Sequence, residues 1–230
     1  MDRALSLPAL TQDLSLPYRF QEATAPAKTL LLLLHGVGSN ETSLAGLLPL
    51  LPETVSIALV RSPFPMGQNA FRAFSVDFTA QGPVINAEEA EASRQLLLRF
   101  VGELQARTGI SAQNTLIAGF SQGGIMSAGL ALTQPDTVAV FGIISGRILP
   151  QIEPLIASQD KLQHLHGLIL HGEQDGTLPV TWADNSAALL QAHHVPFTLH
   201  KFQARHEITA AMAQTFADWV KTFTEAAAQS

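Results

Sequence analysis

Apolar residues along this chain fall into short unbroken blocks, and longer stretches with a helical period separate them. Thr29–Leu34, Val55–Val60 and Phe197–Phe202 are such blocks, and so are residues 115–119, 138–144 and 168–171. They read as apolar runs without in–out alternation, the pattern expected of strands covered by helices on both faces of a parallel sheet. Residues 18–23 add a short edge strand. Between the blocks the period changes. Residues 42–51 read as a helix. Asn86 with Glu89 three positions on resembles a capping box, and the helix behind it carries Leu97, Val101 and Leu104 on one stripe. Gln122–Thr133 is predicted to be a helix ended before Pro135, and residues 179–193 a helix opened by proline. A last helix places Ile208, Met212, Phe216, Trp219 and Phe223 on one face. Strand and helix alternate from residue 29 onward with no repeat or linker. The prediction is one α/β domain over residues 1–230, with a mostly parallel sheet, helices on both faces and no large cap domain.

The segment from 61 to 86 breaks this rhythm. Pro63, Pro65, Gly67, Gly82 and Pro83 interrupt it, and it carries Phe64, Met66, Phe71, Phe74 and Phe78. Irregular stretches of this length inside a compact domain are usually functional. Five large apolar side chains off any helix stripe suit a substrate-pocket wall or lid as well as plain core.

Composition narrows the function classes. Apolar residues make up 47 % and charged residues 14 %, against a usual charged share of about 25 %. The net charge is -6 with no basic run, which disfavours nucleic-acid binding. There is no cysteine, so a disulfide framework, a thiolate nucleophile and a Cys-based zinc site are excluded. The first twenty residues lack a basic stretch followed by an apolar run, so no signal peptide is expected. The longest purely apolar run covers residues 30–34, far short of the ~20 residues of a spanning helix. The cytoplasm is the default location, without integral membrane association.

The strongest local signal is Gly119-Phe120-Ser121-Gln122-Gly123, between a predicted strand and a predicted helix. Given the glycine and serine content, such a Gly-x-Ser-x-Gly match is expected by chance roughly 0.07 times in a chain of this length. The glycines allow a tight turn and close strand–helix approach, with the serine exposed at its tip. A serine hydroxyl needs a base, and the base needs an orienting carboxylate. On this architecture both should follow later in the chain, acid before histidine, each just beyond a strand. Gly172-Glu173-Gln174-Asp175 and Gln203-Ala204-Arg205-His206 occupy those places. Asp175 is favoured over Glu173 and Asp77, and His206 over His200, which lies inside a strand. The expected oxyanion donors are the N–H of Gln122 and that of Val37, in the His35-Gly36-Val37-Gly38 loop after the first central strand. His35 itself reads as a structural hydrogen-bonding residue. His164, His166, His193 and His194 form pairs without a carboxylate and are read as solvent-facing, so no metal site is expected.

LLHGVGSN, GFSQGG, LHGEQDGTLPV and RHEI, in this order at predicted strand ends, resemble the phospholipase/carboxylesterase family of small α/β hydrolases, which includes acyl-protein thioesterases. The resemblance runs from about residue 28 onward. It implies Ser121, Asp175 and His206 as a catalytic triad, Val37 and Gln122 as oxyanion donors, and hydrolysis of esters or thioesters without metal or organic cofactor. Three features depart from thioesterase members: HGVGSN in the oxyanion loop, FRAFSVDF after the second strand, and Arg205 before the histidine. The pattern is somewhat closer to bacterial-type esterases. The expected activity is carboxylesterase, with thioesterase or lysophospholipase as the alternative and a non-catalytic binding protein as the remote one. The expected partner is a small-molecule ester or thioester, and the expected assembly a monomer or homodimer.

Overall fold

The computed structural model describes residues 7–25, 29–79 and 82–227, without the side chain of Phe78. Strand β1 (Leu10–Thr11) is followed by β2 (Tyr18–Gln21), β3 (Thr29–Leu34) and β4 (Val55–Val60). The irregular segment is two hairpins, β5 (Phe64–Pro65) with β6 (Phe71–Arg72) and β7 (Val76–Thr79) with β8 (Gly82–Ile85). Helix α1 (Ala87–Thr108) leads to β9 (Thr115–Phe120), and α2 (Gln122–Thr133) to β10 (Val140–Ile144). The short α3 (Gln159–Leu162) precedes β11 (His166–Gly172), and α4 (Thr181–Ala192), β12 (Phe197–Phe202) and α5 (Ala210–Ala227) follow.

One eight-stranded sheet runs β1-β2-β4-β3-β9-β10-β11-β12. From β4 to β12 the strands are parallel, while β2 is antiparallel to β4 and to β1. Successive side chains of a strand point to opposite faces, and β3 shows what this requires here. Leu30, Leu32 and Leu34 pack into one core with Leu97, Phe100, Val101 and Leu104 of α1 and Met126 of α2. Leu31 and Leu33 pack into the other with Leu47, Leu48 and Met212, Phe216 and Val220 of α5. A strand buried on both faces cannot alternate, which is why β3 is five consecutive leucines after a threonine.

Several sequence expectations are corrected. The strand at 18–23 ends at Gln21 and is not an edge, because β1 pairs outside it. Residues 42–51 contain a 3₁₀ turn at Ala45–Leu50 instead of a full helix, with Pro49 inside it unable to donate a backbone hydrogen bond. The last strand, β12, is only partly buried along its length. It forms the sheet's far edge, and its FTLHKF sequence exposes His200 and Lys201 there. Ile208 precedes α5 and does not belong to its stripe. Asn86 does cap α1, accepting from the Glu89 N–H at 3.1 Å, but the Glu89 carboxylate does not close a capping box. It accepts instead from the hydroxyl of Ser75, at 2.7 Å, and from Arg72. Among the described residues no helix is long and apolar enough to cross a membrane.

A buried acid fixes the loop that follows β3. Glu41 accepts from Arg19 of β2 at 2.9 Å and from Arg61, just past β4, at 2.7 Å. Burial alone would raise its pKa, but hydrogen bonds from Arg61 and Arg19 outweigh burial and hold it down at about 2. The folded pKa therefore lies below that of the unfolded chain. The stabilisation from Glu41 and its two arginines is complete above the usual carboxylate range and is lost as pH falls toward 2, with a size on the order of 3 kcal/mol. Glu41→Gln should lower stability at neutral pH, and its deficit against the natural chain should shrink by that amount between about pH 5 and pH 2. Parallel unfolding curves for the two proteins across that window would sink this account.

Candidate active site

The turn between β9 and α2 is built by what its glycines allow. A Cβ on Gly123 would lie 2.1 Å from the Leu34 carbonyl oxygen, and one on Gly119 2.4 Å from the Gly123 carbonyl carbon. No other residue lets the helix start so close to the strand ends. Ser121 sits at the apex with φ 54° and ψ -117°, a left-handed conformation that a non-glycine residue adopts only under constraint. Its N–H donates to the Ile144 carbonyl at 2.8 Å, which ties the apex to the end of β10.

Two later loops reach this apex. His206, four residues past β12, places Nε2 3.0 Å from Ser121 Oγ. Its Nδ1 lies 2.6 Å from Asp175 Oδ2, in the loop after β11. The other oxygen, Asp175 Oδ1, accepts from the N–H groups of Thr177 at 2.9 Å and Leu178 at 2.8 Å. An ionised Asp175 only accepts, so His206 carries its proton on Nδ1 and leaves Nε2 free to accept from the serine hydroxyl. The Asp175 side chain is fully buried and the ring of Phe120 leans against His206.

The loop after β3 crosses above Ser121. Gly36 is so near that a Cβ there would stand 3.3 Å from Ser121 Cβ. His35 is buried, donates from Nδ1 to the Gly36 carbonyl at 2.7 Å, and accepts at Nε2 from the Ser62 N–H at 3.0 Å. Burial pushes its pKa down, in keeping with a neutral ring that uses one nitrogen each way. Gly36 C=O and Val37 N–H belong to one peptide plane, so fixing the carbonyl fixes the direction of the N–H. The Gly38 N–H and Ser39 carbonyl bond to Phe71 of β6 and hold the rest of the loop. Val37 and Gln122 both line the cavity that opens over Ser121, and neither N–H has a backbone acceptor among the described residues. For Gln122 this follows from its place as the first residue of α2, where the amide has no partner within the helix.

The cavity has a volume of about 540 Å³. Its apolar wall comes from Leu44, Phe74, Val76, Pro83, Ile85 and Ile208. Of the five apolar residues that the sequence singled out for a pocket wall, Phe74 lines it. Phe64, Met66 and Phe71 do not: they belong to β5–β6 and its turn, which packs over the loop after β3, with Phe71 under the Arg61 guanidinium at 4.3 Å and Met66 exposed. The side chain of Phe78 lies outside the described residues. The segment's other contributions to the wall, Val76, Pro83 and Ile85, come from the second hairpin, β7–β8, and the stretch joining the two hairpins is clamped. Gln122 Oε1 accepts from the Ala73 N–H at 2.7 Å and its Nε2 donates to the Phe74 carbonyl at 2.8 Å. Both arms of one amide thus bind the backbone beside Phe74, which argues against a mobile lid there.

Two residues at the site escaped the sequence reading. His171, wholly buried in β11, donates from Nε2 to the Leu178 carbonyl at 2.7 Å and lies 3.5 Å from Asp175 Oδ2. It braces the loop that presents Asp175, and burial depresses its pKa. Arg147, after β10, is buried in the cavity wall. Of the histidines weighed as metal ligands, His164 lies 2.9 Å from the Pro135 carbonyl and His166 3.3 Å from Thr198 Oγ1. Among the described residues no group of three or more potential ligands converges.

The family described as Phospholipase/Carboxylesterase matches residues 18–224. The chain belongs to the phospholipase/carboxylesterase family. This is a family of esterase-type hydrolases on the α/β-hydrolase fold, here without a large cap domain. Among relatives, acyl-protein thioesterase 1 of Kluyveromyces lactis is 24 % identical over 190 residues, covering 76 % of this chain and 82 % of the relative. Esterase YpfH of Escherichia coli is 29 % identical over 169 residues, covering 71 % and 68 %. The crystal structure of a carboxylesterase from Mesorhizobium loti superposes with a TM-score of 0.82 at 23 % identity, covering 94 % of this chain and 99 % of that one. That likeness carries the fold.

Proposed function

We propose that this phospholipase/carboxylesterase family member hydrolyses small carboxylic esters through an acyl-enzyme on Ser121, with His206 as general base and Asp175 as the acid that orients it. The observation that carries this reading is the continuous hydrogen-bonded line Ser121 Oγ to His206 Nε2 at 3.0 Å, then His206 Nδ1 to Asp175 Oδ2 at 2.6 Å. It starts at the one strained residue of the turn and ends in a buried carboxylate. His206 Nε2 takes the hydroxyl proton as Oγ attacks the ester carbonyl. The oxyanion lies against the N–H groups of Val37 and Gln122. Collapse expels the alcohol, which takes the proton back from His206. Water then enters, gives its proton to His206, and releases the acid as the proton returns to Ser121. The acyl group packs against Phe74, Val76, Pro83 and Ile85. These steps need neither metal nor organic cofactor.

A fluorophosphonate should therefore attach covalently at Ser121, read as a mass increase on the tryptic peptide that contains it. Attachment at another serine, or none on folded protein, overturns the assignment. The same residues would serve a thioester, and the likeness to an acyl-protein thioesterase keeps that reading as the second one. Oxygen and sulfur esters of one acyl group, compared by kcat/KM, separate the two.

A further inference from the structure

Arg147 is the one strongly basic group in the cavity over Ser121 among the described residues. β10 ends at Ile144, and Ser145 turns the chain in a left-handed conformation at φ 49°. Gly146 then passes so close that a Cβ on it would lie 2.9 Å from the Ser121 carbonyl oxygen. Arg147 follows directly, beside the apex of the turn. It is 95 % buried, being 5 % exposed. Burial of this kind normally comes with a carboxylate, because a desolvated charge without one is costly. Arg94, Arg61 and Arg19 all have such partners here. Arg147 has none among the described residues, and among them its Nε has no hydrogen-bond partner either. What holds it is the Trp182 ring, 3.8 Å from the guanidinium carbon. Stacking fixes the plane of a guanidinium and leaves its N–H edges for another group. Among the described residues the one carboxylate lining the cavity, Glu207, is exposed, and its Oε1 accepts from the Arg205 N–H at 3.3 Å. His206 is already engaged on both nitrogens.

We infer that Arg147 is a specificity-determining residue whose partner is an anionic group on the substrate, a carboxylate or a phosphate, so that the preferred esters carry a negative charge beside the scissile bond. The inference rests on Ser121 being the nucleophile. A buried guanidinium in the wall of a cavity, stacked on one face and without a carboxylate partner among the described residues, is half of an ion pair, and the ligand supplies the other half. Neutral esters leave it unpaired and desolvated, so the discrimination acts against them as much as for the anion.

The test compares matched esters. The mono-p-nitrophenyl ester of glutaric acid and its methyl-capped neutral counterpart probe an acyl-side carboxylate. 1-Butyryl-glycerol 3-phosphate and 1-butyryl-glycerol probe an alcohol-side phosphate. The natural chain should favour the anionic member of at least one pair in kcat/KM by about 10- to 100-fold, the range of one charge-assisted hydrogen-bonded pair. Which pair shows it identifies the source of the anion. Arg147→Met should collapse that ratio to near one, and Arg147→Lys should retain part of it. Because the readout is a ratio within one protein, a general loss of activity or folding does not mimic it. Calorimetry with glutarate and with glycerol 3-phosphate adds a readout free of turnover: one of them should bind the natural chain and bind Arg147→Met at least about fivefold more weakly. Ratios near one for both pairs in the natural chain, or a preference that survives Arg147→Met, overturns the inference. If no ester is hydrolysed but the anion binds through Arg147, the Ser121 reading falls and the anion site stands. If no ester is hydrolysed and neither anion binds, both fall.

Discussion

Ser121→Ala should lower kcat on any ester the protein accepts by on the order of 10⁴–10⁶, while the protein stays folded. The size follows from what is removed. Without Oγ there is no atom for His206 to deprotonate and none to carry the acyl group. Val37 and Gln122 could still polarise a bound carbonyl, so a residual rate above that in water should persist. The fold should hardly notice, because the change deletes one hydroxyl at the edge of a cavity and creates almost no void. Alanine is as ill suited as serine to φ 54° and ψ -117°, so it does not relieve the turn. Glycine does. Ser121→Gly should be equally inactive yet raise the melting temperature by several degrees, since backbone strain of this kind is worth about 1–3 kcal/mol. Kinetics on both variants with scanning calorimetry checks the pair of outcomes. Ser121→Ala turnover within tenfold of the natural chain would be incompatible with an acyl-enzyme at this residue. A less stable Ser121→Gly would mean that the turn stores no strain.

The sheet is legible in the sequence because it is buried on both faces. Five leucines in a row after Thr29 have no reading on a half-exposed surface, and the apolar runs at β3 and β4 match the strands to the residue. β12 also matches its expected bounds, but it lies at the sheet's edge, where His200 and Lys201 face out, so the run is not buried on both faces. The turn at Ser121 is legible through its glycines, since contacts as short as those of Gly119 and Gly123 leave no alternative residue. The positions at 175 and 206 are legible from the chain order of strand ends, and the folded chain brings their side chains into hydrogen-bonding line with Ser121. The cavity wall is not legible. Five apolar residues between 64 and 78 look alike on paper, but two hairpins divide them, and the division depends on long-range contacts. Phe71 is drawn to the loop after β3 by backbone pairing with Ser39 and by the contact of its ring with Arg61. Phe74 is turned inward by the two-armed hold of Gln122. Pro83 reads as loop punctuation and Ile85 carries no signal, yet both line the cavity. Arg147 gives no signal at all, because an arginine in sequence does not announce that it lacks a partner. Only the packed structure shows the absence.

Asp175→Asn should cost about 10²–10⁴ in kcat/KM, and the hydrogen bonds around the carboxylate say why. Oδ1 faces two donors, the N–H groups of Thr177 and Leu178. An asparagine amide must put its oxygen there, because its NH₂ would set donor against donor. The NH₂ then occupies the place of Oδ2 and points at His206 Nδ1. To receive that donor, Nδ1 must lose its proton, which moves to Nε2. The ring then presents N–H to Ser121 and cannot take its proton. The nearby His171 Nε2, 3.5 Å from Oδ2, meets the same NH₂ and cannot relieve the mismatch, since it already donates to the Leu178 carbonyl. The variant is therefore trapped in the wrong tautomer, and its shape is unchanged. Trapping of this kind sets the upper end of the range, since exchanging the triad aspartate of a serine protease for asparagine costs about 10⁴ in kcat with the geometry intact. Glu173 and Asp77 are the contrast. Both are exposed and neither lines the cavity, so Glu173→Gln and Asp77→Asn should each cost under about tenfold. The three variants measured side by side decide the matter, with ring-nitrogen NMR of His206 reporting the tautomer directly. An active Asp175→Asn with the proton still on Nδ1 would show that the backbone donors do not dictate the amide's orientation. A crippled Glu173→Gln beside it would move the acid two residues earlier in the loop.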